Sequence, residues 1–464
     1  MILAALLATF APTPALALPP QSSDRIEVLL KENDPAPGFP SGWRVHQFIG
    51  RTIGADGGWA ATVDLRGGGF TTAIVGQRPG ATDGPVELLL HELPTGAAPE
   101  DLIVGGRMAG GHIAYALARH TWLNPFHSIW IDDTRIAQIG DAIDGRPGAS
   151  WNRMLGVNSL AADGSAVVHG LIQDTPQVGG LKRMLWRWPE REIMLTEDDA
   201  IPGVSSTIRH FRQPFAFSPD SRQWALVVVF EDDSREGLIR GGELLQYAPG
   251  AVALEGAVIP PAFVDGNVGL TWEDFHALTI NDRGHVAFVG RTLLNGQSRY
   301  ALVRNGRPYS FTTSEPKLAD MDERSGVLTV GGPLRYEGSV VLASDPAVDL
   351  DRDGTIDPEY SATSVSELST FMARDTHELI MFRPIYDAAG EVNFAVTRAR
   401  RARIDESVCN ALLNSTGRPA ELVASGSALA VDNEVTLHAF GLPNASRGYT
   451  LFSQAFGITT HPGG

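Results

Sequence analysis

A glycine-centred turn followed by a short strand of alternating apolar residues recurs along this chain, and this repeat constrains the fold more than any other feature. The clearest copy runs from Asn281 to Phe288. Seven copies lie 52 to 63 residues apart, with turn residues at positions 57, 111, 164, 221, 284, 338 and 390. That spacing is typical of one four-stranded sheet per repeat. Because a small antiparallel sheet cannot bury both faces alone, such sheets pack radially against one another. The repeat therefore predicts an all-β fold, a β-propeller.

A second signature, rich in Asp, Pro and Gly, precedes several of these turns. It spans Asn33 to Gly38, Gly140 to Gly148 and Asp198 to Gly203, with a weaker copy from Glu255 to Pro260. The first three copies each begin roughly 20 to 25 residues before a turn. Because the signature and the glycine turn keep the same spacing, they indicate one repeated structural unit.

The two ends of the repeat region indicate how the ring closes. The chain enters the first signature through an apolar run, Asp24 to Leu30, whereas the seventh repeat has only Val392 to Thr397 after its turn. We therefore expect the N-terminal strand to complete the last blade of a propeller over residues 24–403. Seven blades are predicted. Six is the alternative, because the gap of 63 residues between the fourth and fifth copies could contain an irregular blade. An open series of two-sheet sandwiches is the other architecture considered.

The repeat residues resemble those of a family of secreted bacterial tandem-repeat proteins with Asn-x-x-Gly-x-x-Ala-Phe repeats. Asn281, Gly284, Ala287 and Phe288 carry the resemblance, which extends over residues 24 to 400. The turn from Phe217 to Ser221 also resembles the Ser-Pro-Asp-Gly turn of TolB-type propellers, with Ser in place of Gly. The resemblance implies a secreted β-propeller and assigns no chemistry.

The N-terminal residues 1–17 have the pattern of a signal peptide. An apolar run from Ile2 to Ala11 precedes Ala15-Leu16-Ala17, a small-x-small cleavage site. An apolar first strand is the alternative, although the four prolines between Pro12 and Pro20 would interrupt pairing. No later run approaches the roughly 18 apolar residues of a membrane-spanning helix. The sequence predicts a protein that is secreted or held at the cell surface, without a membrane span.

Residues 408–464 differ in composition from the repeats. They look like the small C-terminal β-module of many secreted bacterial proteins, a β-sandwich-like unit that normally continues into a Cys-Leu-Gly-Gly segment. The chain ends at Gly464 before that segment, and Cys409 is its one cysteine. We expect a truncated module whose Cys409 pairs with a downstream cysteine in the natural protein.

An acidic loop near residue 350 carries the sharpest chemical signal. Its Asp349, Asp351 and Asp353 occupy positions 1, 3 and 5 of an EF-hand-type loop, Gly354 position 6, and Asp357 position 9. Hard Ca²⁺ ions take oxygen ligands at these positions and a backbone carbonyl at position 7, here that of Thr355. Position 12 is Tyr360 instead of the bidentate Glu, so we expect weak binding, with Glu359 or Asp345 as substitutes. The predicted ion is structural. An acidic solvated loop without an ion is the alternative.

Other residue types offer weaker candidates. His112, His120 and His127 lack a tight zinc-ligand spacing. Acid pairs such as Asp132-Asp133, Asp198-Asp199 and Asp232-Asp233 fit solvated turns better than glycosidase carboxylates. Six tryptophans could stack on a sugar but equally suit blade cores: Trp122, Trp130, Trp151, Trp186, Trp188 and Trp272.

The net charge of −17 argues against nucleic acid as a partner, since a phosphate backbone demands clustered Lys and Arg. The sequence predicts a secreted, non-catalytic propeller that acts as a binding or surface scaffold for an extracellular protein or glycan. A propeller-type polysaccharide hydrolase or lyase is the alternative, because such sites draw residues from several blades and leave no local motif.

Overall fold

A computed structural model describes residues 25–54, 58–80, 84–95, 97–119, 126–174, 180–231, 235–242, 250–259, 270–304, 307–321, 327–330, 334–336, 339–342, 346–362, 370–373, 378–399, 412–413, 419–425 and 436–440. These residues form strands and turns, and none of them is helical. One compact unit spans Asp24–Arg400, and the strands after it belong to a second unit. The prediction of an all-β chain is confirmed.

The first three sheets of the large unit are antiparallel meanders of four strands each. Sheet A contains β2 (Arg44–Ile53), β3 (Trp59–Arg66), β4 (Phe70–Gln77) and β5 (Glu87–Leu90). Sheet B contains β6 (Asp101–Ala109), β7 (His112–Arg119), β8 (Phe126–Ile131) and β9 (Thr134–Gln138). Sheet C contains β10 (Ala149–Leu160), β11 (Ala166–Asp174), β12 (Leu181–Trp188) and β13 (Glu192–Thr196). Strand pairing between sheets B and C is limited to one residue pair, Met154 with Phe126.

The next three sheets repeat the same meander. Sheet D contains β14 (Ile208–Phe217), β15 (Gln223–Phe230), β16 (Glu236–Gly242) and β17 (Gly250–Leu254). Sheet E contains β18 (Asp274–Ile280), β19 (Val286–Leu294), β20 (Gln297–Arg304) and β21 (Arg307–Thr312). Sheet F contains β22 (Lys317–Met321), β23 (Val327–Val330), β24 (Leu334–Tyr336) and β25 (Ser339–Leu342).

Sheet G joins the two ends of the large unit. Its C-terminal part consists of β27 (Ser361–Ala362), β28 (Thr370–Ala373), β29 (Glu378–Tyr386) and β30 (Val392–Ala399). The N-terminal strand β1 (Arg25–Lys31) pairs antiparallel with β30, and β26 (Ala347–Asp349) adds to β1 in parallel. The prediction that the N-terminal strand completes the last sheet is therefore confirmed.

Buried apolar clusters lie between each sheet and the next. Both faces of the middle strands are apolar, as in β15, where all eight residues from Gln223 to Phe230 are buried. Among the described residues, seven clusters join A to B, B to C, and so on to G and back to A. One pair represents each: Ile74 with Tyr115, Ile129 with Met154, Leu185 with Leu226, Val227 with Phe288, Val289 with Val327, Leu328 with Met381, and Val396 with Val63. Burying both faces of each sheet in this way requires a closed ring.

The repeat markers agree with the sheets in most positions but not in the last two. Turns at Gly111, Gly164, Ser221 and Gly284 join the first and second strands of sheets B to E, while Gly57 lies outside the described residues. Gly390 instead joins β29 to β30, the second and third strands of sheet G. Position 338, also outside the described residues, falls between β24 and β25. The phase assigned to these two copies was wrong, because any hairpin turn combines glycine with a following apolar strand.

The number of blades stays a prediction of seven, with six as the alternative. The second unit contributes a small antiparallel sheet of β31 (Leu412–Leu413), β32 (Pro419–Ser425) and β33 (Thr436–Phe440). Cys409 and the predicted signal peptide, residues 1–17, lie outside the described residues. In the described part of the chain, no helix is long and apolar enough to span a membrane.

Candidate functional site

The acidic loop lies where the ring closes. It connects β26, whose last residue is Asp349, to β27, which begins at Ser361. Because β26 pairs in parallel with β1, Arg25 stands opposite Ala347 and Glu27 opposite Asp349. The loop therefore contacts the N-terminal strand directly.

Three carboxylates of this loop converge. Asp349, Asp351 and Asp353 each place a carboxylate oxygen within 4.8 Å of the others. The loop turns over its own side chains, since the amide of Asp353 donates to Asp351 Oδ1 at 3.2 Å and that of Thr355 to Asp353 Oδ1 at 2.6 Å. Gly354 has a φ of +94°, a conformation that favours glycine at the sixth loop position.

The buried member of the group is Asp349, which is 0% exposed. Its Oδ2 accepts hydrogen bonds from the Arg25 guanidinium and, at 3.2 Å, from the amide of Gly354. Arg25 also donates from Nη1 to the carbonyl of Gly354 at 2.7 Å. Asp349 Oδ1 is buried and has no hydrogen-bond partner among the described residues. A buried, unpartnered carboxylate oxygen beside two further carboxylates suits a hard cation.

The remaining predicted ligands are placed differently. Asp357 lies outside the converging group, and its Oδ2 accepts a hydrogen bond from the amide of Leu350 at 2.6 Å. This bond, with that from the Asp357 amide to the Val348 carbonyl at 2.8 Å, holds the base of the loop. Thr355 is exposed. Tyr360, at loop position 12, packs against the cluster between sheets F and G, so its side chain belongs to the core. Asp345 lies outside the described residues.

The weaker candidates serve the fold where the structure describes them. Trp130, Trp151, Trp186 and Trp272 are buried in the clusters between sheets. His112 Nδ1 lies 2.8 Å from Asp132 Oδ2, and His127 Nε2 lies 3.0 Å from Asp101 Oδ1, so the two histidines have different partners. The pairs beginning at Asp132 and Asp198 both occupy turns. Trp122, His120 and the pair beginning at Asp232 lie outside the described residues.

A second candidate site comes from the first strands of the sheets. First strands of neighbouring sheets contact each other, for example β2 with β6, β6 with β10, β14 with β18, and β18 with β22, whereas sheets C and D contact each other through β12 and β14. In a ring of radial sheets these strands line the axis. Each of them shows a register shift against its second strand. In five sheets this shift follows a buried apolar residue and leaves one residue outside the strand register: His46, Asn152, Arg209, His276 and Ala319.

We call these out-of-register residues and the residues that follow them the bulge tier: His46-Gln47, Asn152-Arg153, Arg209-His210, His276-Ala277 and Ala319-Asp320. The pairs from β2, β10 and β14 are exposed, although their strands otherwise bury every second or third residue. In β6 the shift falls on Gly105 and Gly106, which offer no side chain. An extra residue in one strand re-aims the neighbouring side chains, which is a common use of bulges beside binding sites.

The charges around the bulge tier are mainly positive. The side chains of Arg153 and His210 make no hydrogen bond or ion pair with the described residues, whereas His276 Nε2 lies 2.7 Å from Asp274 Oδ1. Asp64 stands opposite Gln47. Burial raises the pKa of Asp64, although the charges of Arg66 and His46 oppose this.

The sequence analysis did not find the bulge tier. Its signal is an apolar residue, two polar residues and a second apolar residue, as in Val45 to Phe48 and Ile208 to Phe211. This pattern also fits one turn of a helix, and only the pairing register distinguishes the two.

The closed succession of radial four-stranded sheets defines the protein as a β-propeller. No protein-family model matches the chain, and no curated protein matches it.

Several solved structures are similar to this chain, each at low sequence identity. They include TolB from Acinetobacter baumannii, with 12% identity, a TM-score of 0.28, and coverage of 79% of this chain and 68% of TolB. A structure from an analysis of two prolyl endopeptidases has 9% identity, a TM-score of 0.34 and coverage of 90% and 56%. Prolyl oligopeptidase B from Galerina marginata has 11% identity, a TM-score of 0.35 and coverage of 82% and 55%. The chain thus spans little more than half the length of the two peptidases.

Proposed function

We propose that this protein is a secreted, non-catalytic β-propeller of seven blades that acts as an extracellular binding or surface scaffold. One calcium ion stabilises its ring closure. The ion is held by Asp349, Asp351 and Asp353, with the Thr355 carbonyl and Asp357 completing the predicted ligand set. The partner is an extracellular protein or glycan.

The single observation that carries the calcium proposal is the buried, unpartnered Oδ1 of Asp349 beside two further carboxylates. An isolated buried carboxylate oxygen is costly, and a cation removes that cost. Arg25 neutralises only the other oxygen. Because the loop lacks an acid at position 12, its affinity falls in the extracellular range of roughly 10⁻⁴ to 10⁻³ M. Such a site fills only where calcium is abundant, which supports an extracellular location.

The charge pattern of the first strands supports binding over hydrolysis. A glycosidase needs two carboxyl groups about 5 to 10 Å apart across the sugar. Among the described residues, the acids of the first strands are Asp101, Asp274 and Asp320. Asp274 pairs with Arg291, and Asp101 lies beside His127. The polysaccharide hydrolase or lyase therefore remains the alternative function.

A thermal melt tests the ion. The purified protein is melted with chelator and with millimolar calcium, alongside the double variant Asp351→Ala, Asp353→Ala. An ion bound only by the folded state adds about 2.7 kcal/mol at a hundredfold excess over Kd. In a protein of this size we expect a rise in Tm of a few degrees that the double variant loses. An unchanged Tm in calcium, or a full shift in the variant, would contradict the proposal.

Arg25→Gln provides a sharper form of the same test. Without the guanidinium, both oxygens of the buried Asp349 lack a positive partner until calcium binds. We expect a lower Tm in chelator, a larger calcium-dependent rise, and tighter calcium binding than in the unchanged protein. Lys31→Gln, on the same strand, is the matched control and should leave the calcium response unaltered, since Lys31 pairs with Asp34 outside the loop.

A further inference from the structure

Charge is segregated between the ring axis and the rest of this acidic protein. The chain has a net charge of −17. The first strands β2, β6, β10, β14, β18, β22 and β28 together carry seven Lys or Arg residues and only three Asp. Clustered charge of one sign in a concave surface raises the local concentration of oppositely charged ligands. The axis should therefore attract anions even though the protein as a whole repels them.

The cations are concentrated on two neighbouring sheets. Sheet C contributes Arg153 and sheet D contributes Arg209, which is followed by His210 at the position equivalent to Arg153. The two sheets are fixed to each other by their shared cluster and by Arg183 of β12, which donates a hydrogen bond to the Phe211 carbonyl. The backbone that carries these side chains is therefore rigidly held.

Amide side chains stand beside the cations. Gln47 follows His46, Asn152 precedes Arg153, and Gln213 follows Arg212, and all three amides are exposed on their first strands. Asn152 also donates to Gln173 Oε1 at 3.4 Å. An amide both donates and accepts, so it suits the hydroxyl groups of a sugar, whereas a guanidinium suits a carboxylate. A site of cations alone would take any anion. This mixture favours an anion that also carries hydroxyls.

We infer that the bulge tier, centred on Arg153, Arg209 and His210, binds an acidic oligosaccharide through the sugar carboxylates and hydroxyls. This deepens the proposed binding role by naming its ligand class. Asn152 and Gln47 contact sugar hydroxyls, and the ring axis is the binding surface.

Titration calorimetry of the whole protein tests the site, with trigalacturonate as the acidic probe and a neutral trisaccharide as its comparison. We expect saturable binding of trigalacturonate that weakens as NaCl rises from about 20 to about 300 mM, and no binding of the neutral sugar. The double variant Arg153→Gln, Arg209→Gln should lose about tenfold or more in affinity. The charge-matched control Arg135→Gln, Arg299→Gln, on β9 and β20 and not on first strands, should remain within about twofold.

Further arms separate the ligand classes. If inorganic phosphate binds as tightly as trigalacturonate, the bulge tier is a general anion site. If hexaglutamate binds more tightly than trigalacturonate, the ligand is an acidic peptide. Either result overturns the sugar assignment, as does equal loss of affinity in both double variants. Melting curves check that the variants fold. If trigalacturonate binds and is cleaved, the non-catalytic function fails while the site stands. If trigalacturonate does not bind, the proposed sugar site is wrong, and the calcium melt still tests the calcium ion separately.

Discussion

At the scale of single residues, several polar groups are buried without a charged partner. His169 of β11 is 7% exposed and packs edge-on against Phe215, with ring centroids 5.1 Å apart. Its Nε2 has no hydrogen-bond partner among the described residues. Burial, assisted by the charge of Arg183, lowers the pKa of His169 to about 4. The imidazole is therefore neutral in the folded protein at pH values where it is protonated in the unfolded chain.

This histidine should make the protein sensitive to acid. A folded pKa below the unfolded value means that the unfolded state binds the proton first, so stability falls as the pH drops below about 6.5. The loss between pH 7 and pH 5 amounts to about 2 kcal/mol. His169→Phe should remove that part of the decline, measured by denaturant unfolding at both pH values.

The exposed His91 supplies the control. His91→Phe should show the same decline between pH 7 and pH 5 as the unchanged protein. A parallel decline in His169→Phe would mean that other groups cause the acid sensitivity.

At the scale of strands, tryptophan rings lie over glycines of neighbouring strands. A methyl group added to Gly170 would approach Trp151 to 2.5 Å, and one added to Gly290 would approach Trp272 to 2.5 Å. The same contact joins Gly241 to Trp224 in sheet D, at 2.2 Å. The glycines of these strands thus leave room for the indole rings that fill the blade cores.

Gly290→Ala should therefore destabilise sheet E. The added methyl group forces Trp272 out of its position, and overpacking of this kind costs about 1 to 3 kcal/mol. Denaturant unfolding measures the change. Gly180→Ala is the matched control, because no atom lies within 4 Å of its added methyl group, and it should stay within about 0.5 kcal/mol. If the two variants lose similar amounts of unfolding free energy, Trp272 can move aside for the added methyl group at little cost.

At the scale of the whole molecule, stability depends on how the ring is closed. The closing strand β1 joins residues more than 360 positions apart in sequence, for example Glu27 with Arg398. Arg398 is 1% exposed and donates to Glu27 Oε2 from Nη2 at 2.6 Å and from Nε at 3.1 Å. An ion pair of this kind contributes little until one partner is removed, which leaves a buried charge behind.

Glu27→Gln should therefore weaken the pairing of β1 with β30 that closes the ring. We expect the free energy of unfolding to fall by about 3 kcal/mol. The increase in hydrogen exchange should be largest in β1 and β30. Glu87→Gln is the control, because its pair with Arg78 at 3.7 Å is half-exposed and contributes within about 0.5 kcal/mol. Equal effects of the two substitutions, or exchange that rises evenly over all sheets, would argue against closure as the weak point.

The sequence by itself determined the all-β class, the radial repeat, the closing role of the strand at Arg25–Lys31, and which loop brings several carboxylates together. These features depend on alternation, turn residues and spacing, which act over a few residues. The tertiary structure alone decided that Arg25 meets Asp349, that Tyr360 belongs to the core, that Gly390 lies in a later hairpin, and that the first strands of five sheets shift register at equivalent places. Each of these depends on which strand lies beside another and on what it buries, and chain-local patterns do not contain that information.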